Sequence, residues 1–195
     1  MLYVVLRFLS WLILKLFFGL EVKGAKNVPQ DGGFILASNH VSYFDPVVVG
    51  VGVRRRLNYM ARHDLFDNLF FGWLLKRLGV FPVKRDSADL SALKRALRLV
   101  KAGSGMLLFP EGRRRDAKDT LTHPEPGVGF LAQKSGVPVI PVFVKGTDKV
   151  LPRQARFPRF KKISLHFGRR VEIEEKLSYQ EIAELVTAGI KQLAF

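Results

Sequence analysis

The sequence contains no cysteine among its 195 residues. That absence excludes disulfides, cysteine-ligated metal sites and a thiol nucleophile. No G-x-S-x-G segment is present, so the strand-turn-helix elbow that presents a serine nucleophile is missing too. The four histidines are scattered along the chain instead of standing at metal-ligand spacing. We therefore expect neither a metal nor a cofactor.

Acidic residues are scarce. The chain has 32 Lys and Arg against 17 Asp and Glu, a net charge of +15, and five of the acids lie in residues 172–195. A surface with such an excess attracts phosphate-bearing partners, namely nucleic acid, anionic lipid head groups or a phosphorylated small molecule. The alternative is that the charge serves solubility alone.

No long apolar run is free of charge. The most apolar stretch is MLYVVLRFLSWLILKLFFGL, residues 1–20, and Arg7 and Lys15 interrupt it. A bilayer span needs about 20 mostly apolar residues, and a secretory signal needs a small-residue cleavage site. Tyr3, Arg7, Ser10 and Lys15 share one sector of a helical wheel. The pattern predicts a helix in the membrane interface whose basic side reaches the head groups; a buried core helix and a true span are the alternatives.

Beyond residue 20, short apolar segments alternate with longer helical ones. Six segments predict strands, at 34–38, 57–61, 80–83, 106–109, 139–144 and 163–167. Helices are predicted over 65–79, ending at Gly79; over 87–103, with Ser87 as N-cap; over 127–136; and over the C-terminal tail, where Ser178 and Glu181 form a capping box. The valine run after Pro46 fits strand or helix. We predict an α/β fold: one layered domain, residues 21–195, with a mixed central sheet flanked by helices.

A first polar loop follows the strand at 34–38 and reads ASNHVSYFDP. His40 and Asp45 are five residues apart, about 140° on a continuous helix, so they meet only if the chain turns between them. An aspartate that accepts from an imidazole N–H fixes its tautomer and makes the histidine a competent general base. Alternatively, Asp45 only caps a helix starting at Pro46, and His40 is a structural hydrogen bonder.

Two more polar loops follow predicted strands. GVFPVKRD brings Lys84 and Arg85 to a strand end, and MLLFPEGRRRD brings Glu111, Gly112 and three arginines. Glycine permits a positive φ, and guanidinium groups bind phosphate in bidentate fashion. Solvated charge is the alternative in both loops.

These loops resemble the 1-acylglycerol-3-phosphate acyltransferase (lysophosphatidic acid acyltransferase) family. NHVSYFD is similar to its NHxxxxD motif, GVFPVKR to its second block, FPEGRRR to its FPEGTRS block, and VPVIPVFVKG to its fourth. The blocks stand in the family's order across roughly residues 20–150. Arg113 and Arg115 replace the usual Thr and Ser.

The resemblance implies specific roles. His40 would deprotonate the free hydroxyl of 1-acylglycerol-3-phosphate, and Asp45 would orient it. Acyl-CoA or acyl-carrier protein would donate the fatty acyl group, giving phosphatidic acid. The positions that carry over for acceptor binding are Arg85, Glu111, Gly112 and Arg114.

We expect a membrane-associated enzyme at the cytoplasmic face of the cell membrane, bound to an anionic surface and not to nucleic acid. One alternative is another acceptor, such as a different lysophospholipid or a lyso-ornithine lipid. The other is a non-catalytic protein that binds anionic lipid or nucleic acid, for which the basic, phenylalanine-containing segment 152–162 would be suited.

Overall fold

A mixed sheet forms the centre of the fold in a computed structural model, which describes residues 2–84, 89–116, 121–152, 154–155 and 157–194. Within those residues the sheet has seven strands in the order β1-β7-β6-β2-β5-β3-β4, and only the β6–β7 pair is antiparallel. The strands are β1 (Glu21–Lys23), β2 (Phe34–Ser38), β3 (Leu57–Arg62), β4 (Val80–Val83), β5 (Gly105–Leu108), β6 (Val139–Lys145) and β7 (Ser164–Phe167).

Helices cover both faces of the sheet. They are α1 (Leu2–Phe18), α2 (Asp45–Gly52), α3 (Leu69–Arg77), α4 (Leu90–Lys101), α5 (Gly127–Ser135), α6 (Thr147–Val150) and α7 (Tyr179–Gln192). Alternate residues of the buried strand β2 serve the two layers. Phe34 and Leu36 join the core with α1 and α2, whereas Ile35 and Ala37 join the core with α4, α5 and α7. The predicted α/β class with a mixed sheet is confirmed.

The predicted strands match the observed ones within one residue at each end. Strand β1 is the exception, because no sequence pattern predicts it. Its three residues, two of them charged, are all exposed, so no apolar pattern marks it. It forms in the fold because β7 offers an unpaired edge to which it adds in parallel.

Several helix predictions need correction. The valine run is the helix α2, which begins at Asp45, one residue before the predicted start at Pro46. The segment predicted over 65–79 is divided into a 3₁₀ turn (His63–Phe66) and α3, which Asn68 caps. Helix α4 is capped by Asp89 instead of Ser87, which lies outside the described residues. The capping box at α7 is present as predicted.

Helix α1 lies on the protein with Tyr3 and Arg7 turned inward, whereas Lys15 is exposed. The Arg7 guanidinium donates to the Val51 carbonyl at the end of α2, and the Tyr3 hydroxyl is buried. The prediction that the basic side of the helix reaches outward is therefore wrong for Arg7. The alternative of a buried core helix is also wrong, because Leu14 and Phe18 are the only described residues of α1 that are buried. No helix within the described residues has the length and hydropathy to cross a bilayer.

The sheet topology brings the three polar loops to one edge. Strand β2 lies between β5 and β6, parallel to both, and β3 and β4 continue in the same direction. The loops that follow β2, β4, β5 and β6 thus leave the sheet on the same side, where open α/β folds bind ligands.

Candidate active site

The loop after β2 is pinned to the neighbouring strand by Asn39. Its side-chain amide donates to the Val144 carbonyl (2.9 Å), and its side-chain oxygen accepts from the Val144 N–H (2.8 Å). These two bonds repeat the pattern of a strand pair with side-chain atoms, so the backbone itself is released from the sheet. The chain turns away from the sheet at the next residue, His40.

His40 and Asp45 are brought together by a turn. Asp45 Oδ2 accepts from the Val41 and Ser42 N–H groups, both at 2.7 Å, and lies 2.9 Å from His40 Nδ1. The Asp45 side chain makes no capping bond to α2, so the alternative in which it only caps that helix does not describe the structure. The carboxylate is held by the chain that precedes it and is directed at the imidazole.

Thr147 is a part of this arrangement that no sequence motif indicates. Its hydroxyl donates to Asp45 Oδ1 at 2.6 Å, and both residues are completely buried. Thr147 follows β6 and the positive-φ residue Gly146, where an added Cβ would lie 2.2 Å from the Lys162 carbonyl oxygen. No local pattern could indicate this contact, because 102 residues separate the threonine from the aspartate.

The imidazole is fixed by stacking as well as by hydrogen bonding. The Phe109 ring lies against it, with centroids 3.9 Å apart and planes 17° apart. Because Asp45 only accepts, Nδ1 carries the proton and Nε2 keeps its lone pair. His40 is 8% exposed, so the ring is nearly enclosed. The geometry suits a general base that takes a proton at Nε2.

The arginine-rich loop after β5 packs directly on the first loop. The Arg115 N–H donates to the His40 carbonyl (2.9 Å), and Arg115 Nε lies 3.7 Å from Oε1 of the buried Glu111. Gly112 closes the turn with its N–H on the Phe109 carbonyl and has a φ of 63°. Arg115 thus serves internal structure, and a buried carboxylate balances its charge.

Arg114 extends from this loop over Tyr43. The guanidinium carbon lies 3.4 Å from the ring centroid of that exposed tyrosine. A guanidinium stacked by its face presents its N–H groups at the edge, where a phosphate can bind. Arg113 is exposed.

The structure describes only part of the GVFPVKR segment and the loop that follows β4. Lys84 is exposed, and its N–H donates to the Asp89 side chain, whereas Arg85 lies outside the described residues. The pKa of Asp89 is lowered to about 2, because this carboxylate accepts from the Lys84 N–H and also from the Ser91 hydroxyl and the Ala92 N–H. Asp89 therefore ties the end of β4 to the start of α4.

The described residues contain no cluster of three or more His, Asp or Glu side chains that could hold a metal ion. What they do bring together is the histidine–aspartate pair and the loop with Glu111, Gly112 and Arg114. The binding roles of that loop stay predictions.

The chain is similar in sequence to known acyltransferases. The acyltransferase family model matches residues 19–145. The chain is 29% identical over 184 residues to the 1-acyl-sn-glycerol-3-phosphate acyltransferase of Bacillus subtilis, covering 93% of this chain and 91% of that protein. It is 32% identical over 140 residues to a chloroplastic 1-acyl-sn-glycerol-3-phosphate acyltransferase of Brassica napus, covering 70% of this chain and 40% of that longer protein.

A solved structure is also similar. The crystal structure of the 1-acyl-sn-glycerophosphate acyltransferase PlsC from Thermotoga maritima superposes with a TM-score of 0.78 at 25% identity, over 97% of this chain and 79% of that one. The resemblance seen in four short blocks of sequence is confirmed over almost the whole chain. The chain therefore belongs to the acyltransferase family of enzymes.

Proposed function

We propose that the protein transfers a fatty acyl group from acyl-CoA or acyl-carrier protein to the free hydroxyl of 1-acylglycerol-3-phosphate, with His40 as the general base. The observation that carries the proposal is the buried Asp45 carboxylate, which holds His40 Nδ1 at 2.9 Å and leaves Nε2 for a substrate proton. The relatives named above are acyltransferases of this acceptor class, in agreement with that chemistry.

The reaction follows from the tautomer. His40 Nε2 removes the hydroxyl proton of the acceptor as its oxygen attacks the thioester carbonyl carbon. The new C–O ester bond forms, the C–S bond breaks, and the imidazolium returns the proton to the departing sulfur. Asp45 stabilises the imidazolium while it exists. No acyl-enzyme is needed, and the chain has no cysteine to form one.

Acceptor binding is assigned to the arginine loop. Arg114 lies on the loop that contacts His40 through the Arg115 N–H, so a phosphate on its guanidinium would place the attached glycerol beside the imidazole. Arg85 joins it by family resemblance. Of the two departures from the family pattern, Arg115 is engaged with Glu111, and the exposed Arg113 is the one able to change head-group preference.

A membrane surface is the proposed location. The outward face of α1 exposes large apolar side chains along its length, including Phe8, Leu12 and Leu16, and Phe17 stacks with Phe160 beside it (5.8 Å). An amphipathic helix of this kind enters the head-group region, and the net charge of +15 suits the anionic cytoplasmic leaflet.

Release of free thiol from acyl-CoA, measured with a panel of lysolipid acceptors, tests the reaction. We expect 1-acylglycerol-3-phosphate to be the best acceptor and His40→Ala to lower kcat by ~10²–10⁴-fold. His166→Ala, on strand β7 and outside the hydrogen bonds of the His40–Asp45 pair, is the matched control and should be unchanged. Turnover of folded His40→Ala near the wild-type rate would refute the general base, and preference for an acceptor without phosphate would refute the substrate.

Membrane attachment is tested by replacing Phe8, Leu12 and Leu16 with glutamine. The triple variant should move from the membrane fraction to the soluble fraction and keep its fold, since these side chains point outward. Deletion of residues 1–20 is a weaker test, because it also removes the buried Leu14. Leu185→Gln, at an exposed position on α7, should stay with the membrane. Unchanged partitioning of the triple variant would refute α1 as the anchor.

A further inference from the structure

A cavity of about 420 Å³ lies at the opposite edge of the sheet from His40. It is formed near the starts of β3, β4 and β5, between the end of α3 and the side of α4. The polar and glycine residues of its lining are Arg56, Asn58, Lys76, Gly79, Arg95 and Ser104. The strands are four to six residues long. At ~3.3 Å per residue, the lining residue Ser104 lies roughly 13 Å below the end of β5. The lining also includes Pro82 on β4, which is three strands from β2, or about 14 Å from the His40 loop at ~4.8 Å per strand. A ligand here does not touch the His40–Asp45 pair.

The cavity is cationic. Arg56, Lys76 and Arg95 line it, and none of its described lining residues is acidic. The surrounding sequence has the same bias, because residues 90–105 contain four bases and no acid. Three cations around one small volume repel each other, and a bound anion removes that repulsion.

Two of the cations are held in place before any ligand binds. The Arg95 guanidinium lies 4.7 Å above the Phe81 ring, and the Arg56 guanidinium lies 5.4 Å from the Tyr3 ring and donates to the Arg77 carbonyl. Pre-organised guanidinium groups lose less entropy when they bind phosphate.

A second cavity, of about 300 Å³ beside Gly136, is different in charge. Its lining includes Glu172 and Glu175 together with Arg170, and Arg170 forms an ion pair with Glu172. Of these two cavities, the one at the start of the strands is lined by cations without an acidic residue among its described lining.

Apolar surface adjoins the cationic cavity. Helix α3, which supplies Lys76 at its end, exposes Leu69 (89% accessible) and Phe70 (74%), and the Phe70 and Trp73 rings stack at 6.2 Å. Arg77 lies 5.4 Å from the Trp73 ring. Tryptophan with flanking cations is typical of segments at the head-group level of a membrane. On its other side the cavity meets α1 through the contact of Arg56 with Tyr3.

We propose that this cavity binds the phosphate of an anionic phospholipid in the membrane to which the enzyme is attached, at a site separate from the active site. The cations recognise the phosphate, and the exposed faces of α1 and α3 lie in the same leaflet as the lipid's acyl chains. The lipid part of the proposal rests on the proposed membrane attachment, whereas the phosphate chemistry rests on the cavity alone.

The full-length variant Lys76→Gln/Arg95→Gln tests the site, because glutamine keeps much of each stem and removes the charge. Lys94→Gln/Lys101→Gln is the matched control: both lysines are exposed on α4, neither lines the cavity, and the charge change is identical. Partitioning is measured on phosphatidylcholine vesicles with and without phosphatidylglycerol. Each lost contact to phosphate corresponds to roughly tenfold or more in affinity. We expect the cavity variant to lose at least about tenfold of its preference for the anionic vesicles, and the control to lose clearly less. Equal losses in both variants, or none in the cavity variant, would overturn the proposal.

Two further measurements separate the possible outcomes. The amide resonances of Asn58 and Gly79 are followed by NMR during titration with glycerol phosphate. If glycerol phosphate binds with the same affinity as the anionic lipid of the vesicles, the site is one for a soluble phosphate compound, and the lipid assignment is overturned. Acyl transfer to detergent-dispersed acceptor is measured in parallel and should be unchanged in the cavity variant. Lost transfer with unchanged vesicle preference would show that these cations serve the reaction, which also overturns the proposal. Failure of the proposed acyl transfer in the wild type leaves the vesicle result intact, so the two hypotheses fail separately.

Discussion

Replacing Asp45 with asparagine removes one charge and preserves the shape of the site. Oδ2 accepts from two backbone N–H groups and from His40 Nδ1, and Oδ1 accepts from the Thr147 hydroxyl. An asparagine can place its oxygen at the Oδ2 position and its NH₂ at the Oδ1 position, because a threonine hydroxyl also accepts hydrogen bonds. The two backbone donors select that orientation. His40 therefore keeps the proton on Nδ1.

The expected loss of rate comes from the charge. An imidazolium about 4 Å from a carboxylate in a protein gains about 4 kcal/mol at an effective dielectric constant of 20, and a neutral amide recovers part of that through its dipole. A loss of about 2–4 kcal/mol in transition-state stabilisation lowers kcat roughly 30- to 1000-fold. An amide free to rotate could hold His40 in the wrong tautomer and lower the rate further. The two backbone N–H donors prevent that rotation. Asp45→Ala should additionally unfold more easily, because it leaves the Val41 and Ser42 N–H groups buried without an acceptor.

The assay is thiol release at saturating donor and acceptor across a pH series, combined with denaturant unfolding. Asp45→Asn should fold like the wild type and be slow, whereas Asp45→Ala should be slow and destabilised. Asp31→Asn, at an exposed position, is the control for loss of one negative charge. Wild-type kcat in Asp45→Asn would refute the electrostatic role of Asp45. Equal destabilisation of the Asn and Ala variants would refute the hydrogen-bonding pattern described here.

Three other changes test neighbouring parts of the site. Thr147→Val removes the donor to Asp45 Oδ1. It should lower the free energy of unfolding, measured with denaturant, by about 1.5–3 kcal/mol and should also lower kcat, measured by thiol release. Thr147→Ser keeps the hydroxyl and should restore both quantities. Arg114→Ala should raise the KM of the acceptor more than it lowers kcat, with ~10–100-fold lost in kcat/KM. Arg114→Lys should recover part of that loss. A rise in the KM of the donor alone would show that Arg114 binds the donor instead. Asp89→Ala removes the α4 cap and should lower the free energy of unfolding by ~0.5–2 kcal/mol at neutral pH. Because the pKa of Asp89 is depressed to about 2, the contribution of its charge is complete above the ordinary carboxyl pKa and is lost as the pH falls toward 2. Wild type and Asp89→Asn, which keeps a neutral cap at every pH, should therefore converge in stability there.

The local pattern was sufficient for most of the strands and for α7. Buried strands such as β2 are continuous apolar runs between turn residues, and the Ser178–Glu181 box is a short-range signal that the structure reproduces. Sequence patterns did not predict the elements whose secondary structure depends on tertiary contacts. Strand β1 has no apolar residue pattern of its own and exists because the edge of β7 was unpaired. The valine run has strand composition, but the turn at Asp45 starts a helix there.

The same division applies to the site. Residue identity predicted the candidate site: a histidine and an aspartate five residues apart before a proline, and three arginines after a buried strand, are spaced closely enough to be recognised along the chain. Only the tertiary structure decided which distant groups complete the site. Parallel pairing of β2 with β5 and β6 brings Phe109 onto the His40 ring and Thr147 onto Asp45, and packing against α2 turns Arg7 of the N-terminal helix inward. These contacts depend on strand order and on which helix face finds a partner, and neither quantity is encoded in a short window of sequence.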